Sequence, residues 1–335
     1  MSTYYQIFGG KINVVSSDPS NLIEGQTWYN STSKVIKIYA KNATAGWATG
    51  GNLSTGRYYL GGAGTQTAGL AFGGGSTPTT NTNITEEYDG SAWTAGGNMA
   101  TARRQVAGAG TQTLGLGFGG APTPPVGGTN ATEEYDGSAW TAGGNMGTAR
   151  SDLGGCGTQT LGLAFGGSDP AFVRSNATEE YDGLAWTAGG NLGTAKRGIS
   201  GCGTQTLGLG FGGNIPPNAQ TNATEEYDGS AWSAGGNLGT AKRDLGAFGI
   251  QTAAIGFGGA TSNPTAGIVS QSEEYNGTSW TSISATPTGI KGSGGAGNTT
   301  TGLGFGGFNP SSVLTNATIE YNGAGVLLTK TVSAT

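Results

Sequence analysis

Histidine is absent from this chain of 335 residues, and charged residues make up only 10% of it. A Ser/His/Asp triad, a Cys/His pair and a histidine-based metal site are therefore excluded in their usual form. The formal net charge is −5 and no run of Lys or Arg occurs, which argues against electrostatic binding to nucleic acid or to an acidic membrane surface. We expect no catalytic activity, no cofactor and no bound metal.

Long apolar segments are also missing. The sequence has no stretch of 18 consecutive apolar residues, and no charged segment followed by an apolar core begins at Met1. We therefore expect no membrane insertion and no signal peptide. The two cysteines, Cys156 and Cys202, stand where other copies of a repeat carry Ala63 or Ala109, which favours small apolar filler side chains over a disulfide framework.

The repeat is the dominant feature of the sequence. A tyrosine recurs at intervals of 46 to 49 residues, at Tyr39, Tyr88, Tyr135, Tyr181, Tyr227, Tyr275 and Tyr321. A tryptophan follows each one except the last, at Trp47, Trp93, Trp140, Trp186, Trp232 and Trp280. Between these copies lie Phe-Gly-Gly triplets that begin at Phe72, Phe118, Phe165, Phe211, Phe257 and Phe305. A period of this length indicates a propeller or another repeat architecture.

Each copy contains four strand-like segments, which we call A to D. In one copy, residues 105–110 predict strand A and residues 113–118 predict strand B. A variable loop precedes strand C at 132–135, and Asp136-Gly137 predicts a two-residue type I′ turn into strand D at 138–141. Four short antiparallel strands per copy, without a helical pattern, predict one blade of a β-propeller.

The ordered elements resemble the Kelch repeat, a family of β-propellers. Phe-Gly-Gly, Glu-Tyr-Asp, Trp and a basic residue before the next blade recur in that order over about residues 35–325. The basic residues are Arg57, Arg103, Arg150, Lys196 and Lys242. The resemblance implies an all-β propeller of four-stranded blades.

The number of blades follows from counting hairpins. Seven C–D hairpins include one over residues 35–49, whereas six A–B hairpins are evident. We predict seven blades, the first completed by strands within residues 1–30, and keep six blades plus an N-terminal β appendage as the alternative. The predicted division is residues 1–50 as an irregular segment with a possible attachment role, and residues 51–335 as six regular blades.

Residues 18–33 resemble a short β module found near the N-terminus of bacteriophage virion proteins. Marine phages carry Gly-rich Kelch-like arrays behind such a segment. The resemblance implies a virion structural protein, and hence localisation on the virion after assembly in the host cytoplasm.

Paired glutamates recur in strand C, for example Glu133-Glu134. Neighbours along a strand point to opposite faces, so a pair does not converge on a substrate as in a glycosidase. We expect one glutamate of each pair to bond a structural partner such as the repeated Arg or Lys, and the other to face solvent.

The copies differ mainly in the B–C loops. In a four-stranded meander these loops share one rim with the D–A connections, and variable loops on a rigid scaffold are a usual place for binding. The candidate interaction residues on this rim are Pro124, Pro125, Asp169, Phe172, Arg174, Ile215, Pro216 and Phe308.

Three functions are consistent with this pattern. The first is a non-enzymatic bacteriophage structural or adhesion protein, such as a tail fibre, fibre tip or surface decoration. Its partners would be other virion proteins or a host surface receptor, including a glycan, with homo-oligomers on the particle. The alternative is a soluble, lectin-like carbohydrate-binding propeller. An enzyme using loop carboxylates such as Asp169 is the least supported.

Overall fold

The computed structural model describes residues 4–7, 10–20, 22–41, 44–122, 127–262, 267–324 and 327–332, and all regular elements in these ranges are β-strands. The predicted all-β class is confirmed. None of the described residues forms a helix long and apolar enough to cross a membrane. The chain divides into a small unit, Met1–Ala45 with Asn322–Thr335, and a large unit, Gly46–Tyr321.

Short strands follow one another along the whole chain. The first five are β1 (Tyr4–Ile7), β2 (Gly10–Val15), β3 (Thr27–Asn30), β4 (Val35–Lys41) and β5 (Gly46–Thr49). Blade 1 contains β6 (Gly61–Thr65), β7 (Ala68–Phe72), β8 (Thr85–Tyr88) and β9 (Trp93–Ala95). Blade 2 contains β10 (Ala107–Gly110), β11 (Gly115–Phe118), β12 (Thr132–Tyr135) and β13 (Trp140–Ala142). Blade 3 contains β14 (Gly154–Gly157), β15 (Gly162–Phe165), β16 (Thr178–Tyr181) and β17 (Trp186–Ala188).

The second half of the array repeats this order. Blade 4 contains β18 (Ser200–Gly203), β19 (Gly208–Phe211), β22 (Thr224–Tyr227) and β23 (Trp232–Ala234), with a small hairpin of β20 (Asn214–Ile215) and β21 (Ala219–Gln220) in its B–C loop. Blade 5 contains β24 (Gly246–Ile250), β25 (Ala253–Phe257), β26 (Ser272–Tyr275) and β27 (Trp280–Ile283). Blade 6 contains β28 (Gly294–Gly297), β29 (Thr301–Phe305), β30 (Thr318–Asn322) and, as its outer strand, β5. The last strand is β31 (Leu327–Val332).

The described residues form six propeller blades, so the predicted count of seven is wrong and the alternative is correct. The hairpin assigned to residues 35–49 does not exist as one unit. Strand β5 pairs instead with β30, which joins the two ends of the array in blade 6. Trp47 on β5 fills the tryptophan position that the last copy lacks, with its ring centroid 5.2 Å from that of Tyr321.

The small unit is a five-stranded sheet in the order β1-β2-β3-β4-β31, in which β2 and β3 run parallel. The described residues between positions 4 and 30 therefore do not supply the inner strands of a blade. In β3, Trp28 is fully buried, and its Nε1 donates to Asp18 Oδ1 at 3.0 Å. Asp18 also accepts from Asn30 Nδ2 at 2.9 Å and pairs with Lys37 Nζ at 2.7 Å. These contacts fix the loop before β3 onto the sheet.

The turn between strands C and D is longer than predicted. Tyr135 pairs with Trp140, so residues 136–139 form the loop, and Asp136 N–H donates to Ala139 O at 3.1 Å. Of the two turn residues only Gly137 has a positive φ, of 90°. The Asp136 carboxylate accepts from the N–H groups of Ser138 and Ala139, both within 2.8 Å. This side-chain bonding replaces the predicted type I′ turn.

The inner strands approach one another very closely around the axis. A Cβ placed on Gly108 would lie 2.5 Å from the carbonyl oxygen of Gly62 in the preceding blade. Only glycine fits such an approach, which confirms the steric reason for the glycine-rich A strands. Cys156 and Cys202, on neighbouring A strands, are buried and free, as predicted.

One set of polar contacts ties neighbouring blades together. In blade 3, Tyr181 Oη donates to Glu134 of blade 2 at 2.5 Å, and Trp186 Nε1 donates to Thr132 Oγ1 at 2.9 Å. Gln159, in the turn between strands A and B of blade 3, also donates from its Nε2 to the carbonyl oxygens of Gly115 and Tyr135 in blade 2. Equivalent Tyr–Glu bonds occur at Tyr88, Tyr135, Tyr227 and Tyr275. In four of the five pairs, the second glutamate (Glu87, Glu134, Glu180 or Glu226) thus holds the next blade and does not simply face solvent.

The first glutamate forms a buried ion pair within its blade, which confirms the predicted structural role. Arg103 Nη2 lies 2.7 Å from Glu133 Oε1, and Arg103 Nη1 donates to the carbonyl oxygens of Gly119 and Ala131. The corresponding pairs are Arg57–Glu86, Arg150–Glu179, Lys196–Glu225 and Lys242–Glu273.

Candidate functional site on the B–C rim

The B–C loops and the D–A connections meet on one rim, as predicted. The residue three positions before each A strand forms a β-bridge to the first residue of a B–C loop, for example Arg197 to Asn214 and Lys291 to Phe308. This pairing holds each B–C loop next to the propeller axis. We call this surface the B–C rim.

The predicted rim residues do not form one group. Pro124 and Pro125 lie outside the described residues. Asp169 closes its own loop, because its Oδ1 accepts from the N–H groups of Ala171 and Val173 at 2.9 Å. Its neighbour Phe172 is 57% exposed and has a φ of 63°. Asp169 therefore has a structural contact, whereas Phe172 offers an exposed ring.

Arg174 reaches from the blade 3 loop to the blade 4 loop. Its Nε donates to the main-chain oxygen of Asn214 at 3.1 Å and to Asn214 Oδ1 at 3.0 Å, and its Nη2 donates to Asn218 Oδ1 at 2.6 Å. Ile215 and the exposed Pro216 lie in that blade 4 loop. The structure thus brings Arg174, Ile215 and Pro216 into one part of the rim.

Phe308 lies in a second part of the rim, with aromatic and basic neighbours. Its ring centroid is 4.2 Å from that of Tyr58, and Lys291 Nζ is 6.0 Å from the Phe308 centroid. Arg104 donates to Tyr58 Oη at 2.5 Å and to Pro78 O at 2.9 Å. These contacts hold the Arg104 side chain in place.

Sequence reasoning missed the residues that directly follow the repeated buried cation, or Ile290 in the copy that lacks this cation. These six equivalent positions carry Tyr58, Arg104, Ser151, Arg197, Arg243 and Lys291, and all six belong to the bridges described above. Four of the six are cationic. The doubled cations Arg103-Arg104, Lys196-Arg197 and Lys242-Arg243 were the available signal. The first member of each doublet is structural and the second lies on the rim.

The next residue of each copy contributes to a ring of hydrogen bonds around the axis. The ring contains Tyr59, Gln105, Asp152, Gly198, Asp244 and Gly292, and each N–H donates to the carbonyl oxygen of the ring residue in the preceding blade at 2.7–3.2 Å. All six residues have φ between 51° and 62°. Positive φ is costly for residues such as Tyr59 and Gln105, and such strain clusters at functional sites.

The side chains of this axial ring differ from blade to blade, unlike those of the interblade framework. Tyr59 Oη donates to Asp244 Oδ2 at 2.8 Å. A Cβ on Gly198 would lie 2.6 Å from Asp244 Oδ1, and one on Gly292 would lie 2.8 Å from the Tyr59 ring. The two glycines therefore make room for the tyrosine and the aspartate. This asymmetry makes the axis the most distinctive site in the array.

Two axial groups, Asp152 and Tyr59, have raised pKa values. Burial, followed by the negative charge of Asp244, raises the pKa of Asp152 to about 7, although Arg197 and Arg243 act in the opposite direction. Burial and the charge of Asp244 also raise the pKa of Tyr59 well above its usual value. Asp244 itself is buried and lies 3.3 Å from Arg243 Nη1.

A cavity of about 140 Å³ lies along the axis and is lined by the six ring residues and the first residues of the A strands. Among the described residues, no group of three or more Cys, Asp or Glu side chains is arranged to hold a metal ion. The axial residues can instead offer hydrogen-bond acceptors at Asp152 and Asp244, next to the cations Arg197 and Arg243.

No family model matches the chain, and no curated protein matches it. Among solved structures, the chain is similar to YjhT, in a structure titled "Structure of YjhT", with a TM-score of 0.69 and 12% sequence identity. The match covers 84% of this chain and 99% of YjhT. At this identity the likeness shows the fold alone, which is a β-propeller.

Proposed function

We propose that this protein is a non-enzymatic structural or adhesion protein of a bacteriophage virion, built on a Kelch-like propeller. In this role the propeller is a rigid support, and the B–C rim presents variable side chains to a host receptor or to neighbouring virion proteins. The phage assignment is based on the resemblance of residues 18–33 and of the Gly-rich array to virion proteins.

The observation that carries the proposal is the separation of constant and variable residues. The buried ion pair and the Tyr–Glu bond recur in nearly every blade, whereas the residue types at the rim positions and in the axial ring vary among the blades. Selection for a scaffold alone would not require four different residue types among the six axial positions. A binding face on a rigid scaffold accounts for both properties.

Exposed apolar side chains on the rim also favour binding to a macromolecule. Phe172, Val173 and Val313 are 57%, 61% and 56% exposed. Exposed aromatic and aliphatic groups on loops are the kind of contact that protein interfaces bury. The exposed Phe172 ring also favours the second candidate, a lectin-like propeller, because an aromatic ring can stack on a sugar.

Mass spectrometry of purified phage particles tests the proposal. We expect peptides of this protein at constant stoichiometry with the major structural proteins. Particles without it, together with a secreted or freely soluble protein that binds oligosaccharides, would support the lectin-like alternative instead.

A further inference from the structure

Three arginines on the B–C rim meet near the axis. Arg174 is bonded to Asn214, and Arg197 pairs with the same residue through its main chain, with N–O distances of 2.7 and 3.1 Å. Gly198 follows Arg197, and a Cβ on it would lie 3.5 Å from Arg243 Cβ. The three cations therefore belong to one patch, which we call the arginine patch.

The patch has hydrogen-bond donors that the protein leaves unused. In the structural arginines, such as Arg103, the guanidinium bonds to a glutamate and to two carbonyl oxygens. The half-buried side chain of Arg197, in contrast, has no hydrogen bond or ion pair with any part of the chain that the structure describes. A partly desolvated guanidinium without an acceptor is costly.

The negative charges nearby do not balance the patch. Asp244 lies 3.3 Å from Arg243 Nη1, but it also accepts from Tyr59 Oη. Asp152 has a raised pKa, so it is only partly ionised near neutral pH. Burial and the positive charges of Arg197 and Arg243 lower the pKa of Arg174, as expected where cations are held together. An anion at the patch would relieve this repulsion.

We propose that the arginine patch binds an anionic group, a carboxylate or a phosphate, of a ligand at the B–C rim. The planar guanidinium groups of Arg197 and Arg243 supply paired donors that match either group. Arg174 is held in place by Asn214 and Asn218, so it adds charge without further ordering. This site is the B–C rim of the proposed function and rests on that rim being a binding face.

The test is calorimetric titration of the full chain at low ionic strength with two probes, inorganic phosphate and citrate. We expect at least one probe to bind, and Arg197→Gln to weaken its affinity about tenfold or more, as for the loss of a charge-assisted hydrogen bond. Binding of phosphate alone or of citrate alone would support the proposal and identify the anion. Failure of both to bind the wild-type protein at millimolar concentration would overturn it.

Arg104→Gln is the matched control, because this substitution removes the same charge from the same rim. The Arg104 side chain is bonded to Tyr58 and Pro78. We expect this variant to change the affinity less than about twofold, the effect of a screened charge that lies outside the arginine patch. Equal losses in both variants would show diffuse attraction and refute a specific site. Both variants should melt like the wild type. Calorimetry uses the isolated protein. A failure to bind either anion can therefore be distinguished from absence of the protein from phage particles, which would contradict the proposed function.

Discussion

The Trp47 ring lies 5.2 Å from the Tyr321 ring, so a residue that precedes the first blade completes the last one. Trp47 also lies 4.9 Å from Phe257 of blade 5, in the position that the other tryptophans occupy against the phenylalanine of the preceding blade. The closure of the propeller therefore depends on a side chain from outside the regular array.

Replacing Trp47 with alanine should destabilise the whole propeller by about 3–5 kcal/mol, the usual cost of truncating a large packed aromatic residue. Chemical denaturation monitored by far-ultraviolet circular dichroism measures this change. Trp93→Ala, in an equivalent contact with Phe305, is the matched variant and should cost a similar amount. A Trp47 variant as stable as the wild type would show that β5 does not close the array.

Trp186 is the most deeply buried of the blade tryptophans. Two substitutions at this position can distinguish the contribution of ring packing to stability from that of the hydrogen bond. Trp186→Ala should cost about 3–5 kcal/mol. Trp186→Phe keeps most of the ring volume but loses the bond to Thr132 Oγ1, so we expect a smaller loss, near 1–2 kcal/mol. Equal losses in urea denaturation would mean that the hydrogen bond dominates the contact.

Glu133→Gln should strongly destabilise the protein, because it leaves the Arg103 charge buried without its counter-ion. Breaking such a pair from one side costs about 3–5 kcal/mol. Glu134→Gln is the adjacent control: its amide oxygen can still accept from Tyr181 Oη, so the expected loss is about 1 kcal/mol. Denaturant midpoints for the two variants test the order, and a larger loss for Glu134→Gln would contradict it.

The raised pKa of Asp152 predicts a dependence of stability on pH. The folded protein binds the Asp152 proton up to about pH 7, whereas the unfolded chain releases it near 3.8. This group therefore makes the protein less stable as pH rises from about 4 to about 7, with no further loss above that range.

Asp152→Asn should remove this contribution while preserving side-chain size. Thermal melting of both proteins from pH 4 to pH 8 measures the effect, and the melting temperature of the variant should rise relative to that of the wild type across this range. A difference that stays constant with pH would show that Asp152 is ionised throughout, held by Arg197 and Arg243.

The proposed virion role predicts separate effects for two regions. Deleting residues 1–16 removes β1 and β2 but no strand of any blade, so we expect a folded propeller that fails to incorporate into particles. Exchanging residues 168–175 for the corresponding loop of another blade should change host adsorption without changing incorporation. Particle composition and adsorption assays distinguish these results, and the opposite pattern would mean that the two surfaces have reversed roles.

The sequence by itself determined the repeat, the four strands per blade and the face that carries the variable loops. These follow from local rules: alternation of side chains, turn residues such as Gly137, and the need for glycine where strands crowd the axis. It also predicted that one glutamate of each pair meets a repeated cation, because a buried charge requires a partner.

Only the tertiary structure decided the number of blades, the partner of the second glutamate and the composition of the axial ring. The periodicity of Tyr39 and Trp47 suggested one hairpin, but pairing of an outer strand depends on free hydrogen-bonding groups at the edge of β30, far away in sequence. Likewise, Asp152, Asp244 and Tyr59 lie in different blades, and closure of the ring alone brings them together. Contacts of this kind leave no local pattern in the sequence. Each of these residues occupies the same position of a different copy, and their proximity becomes visible only when the copies close into a ring.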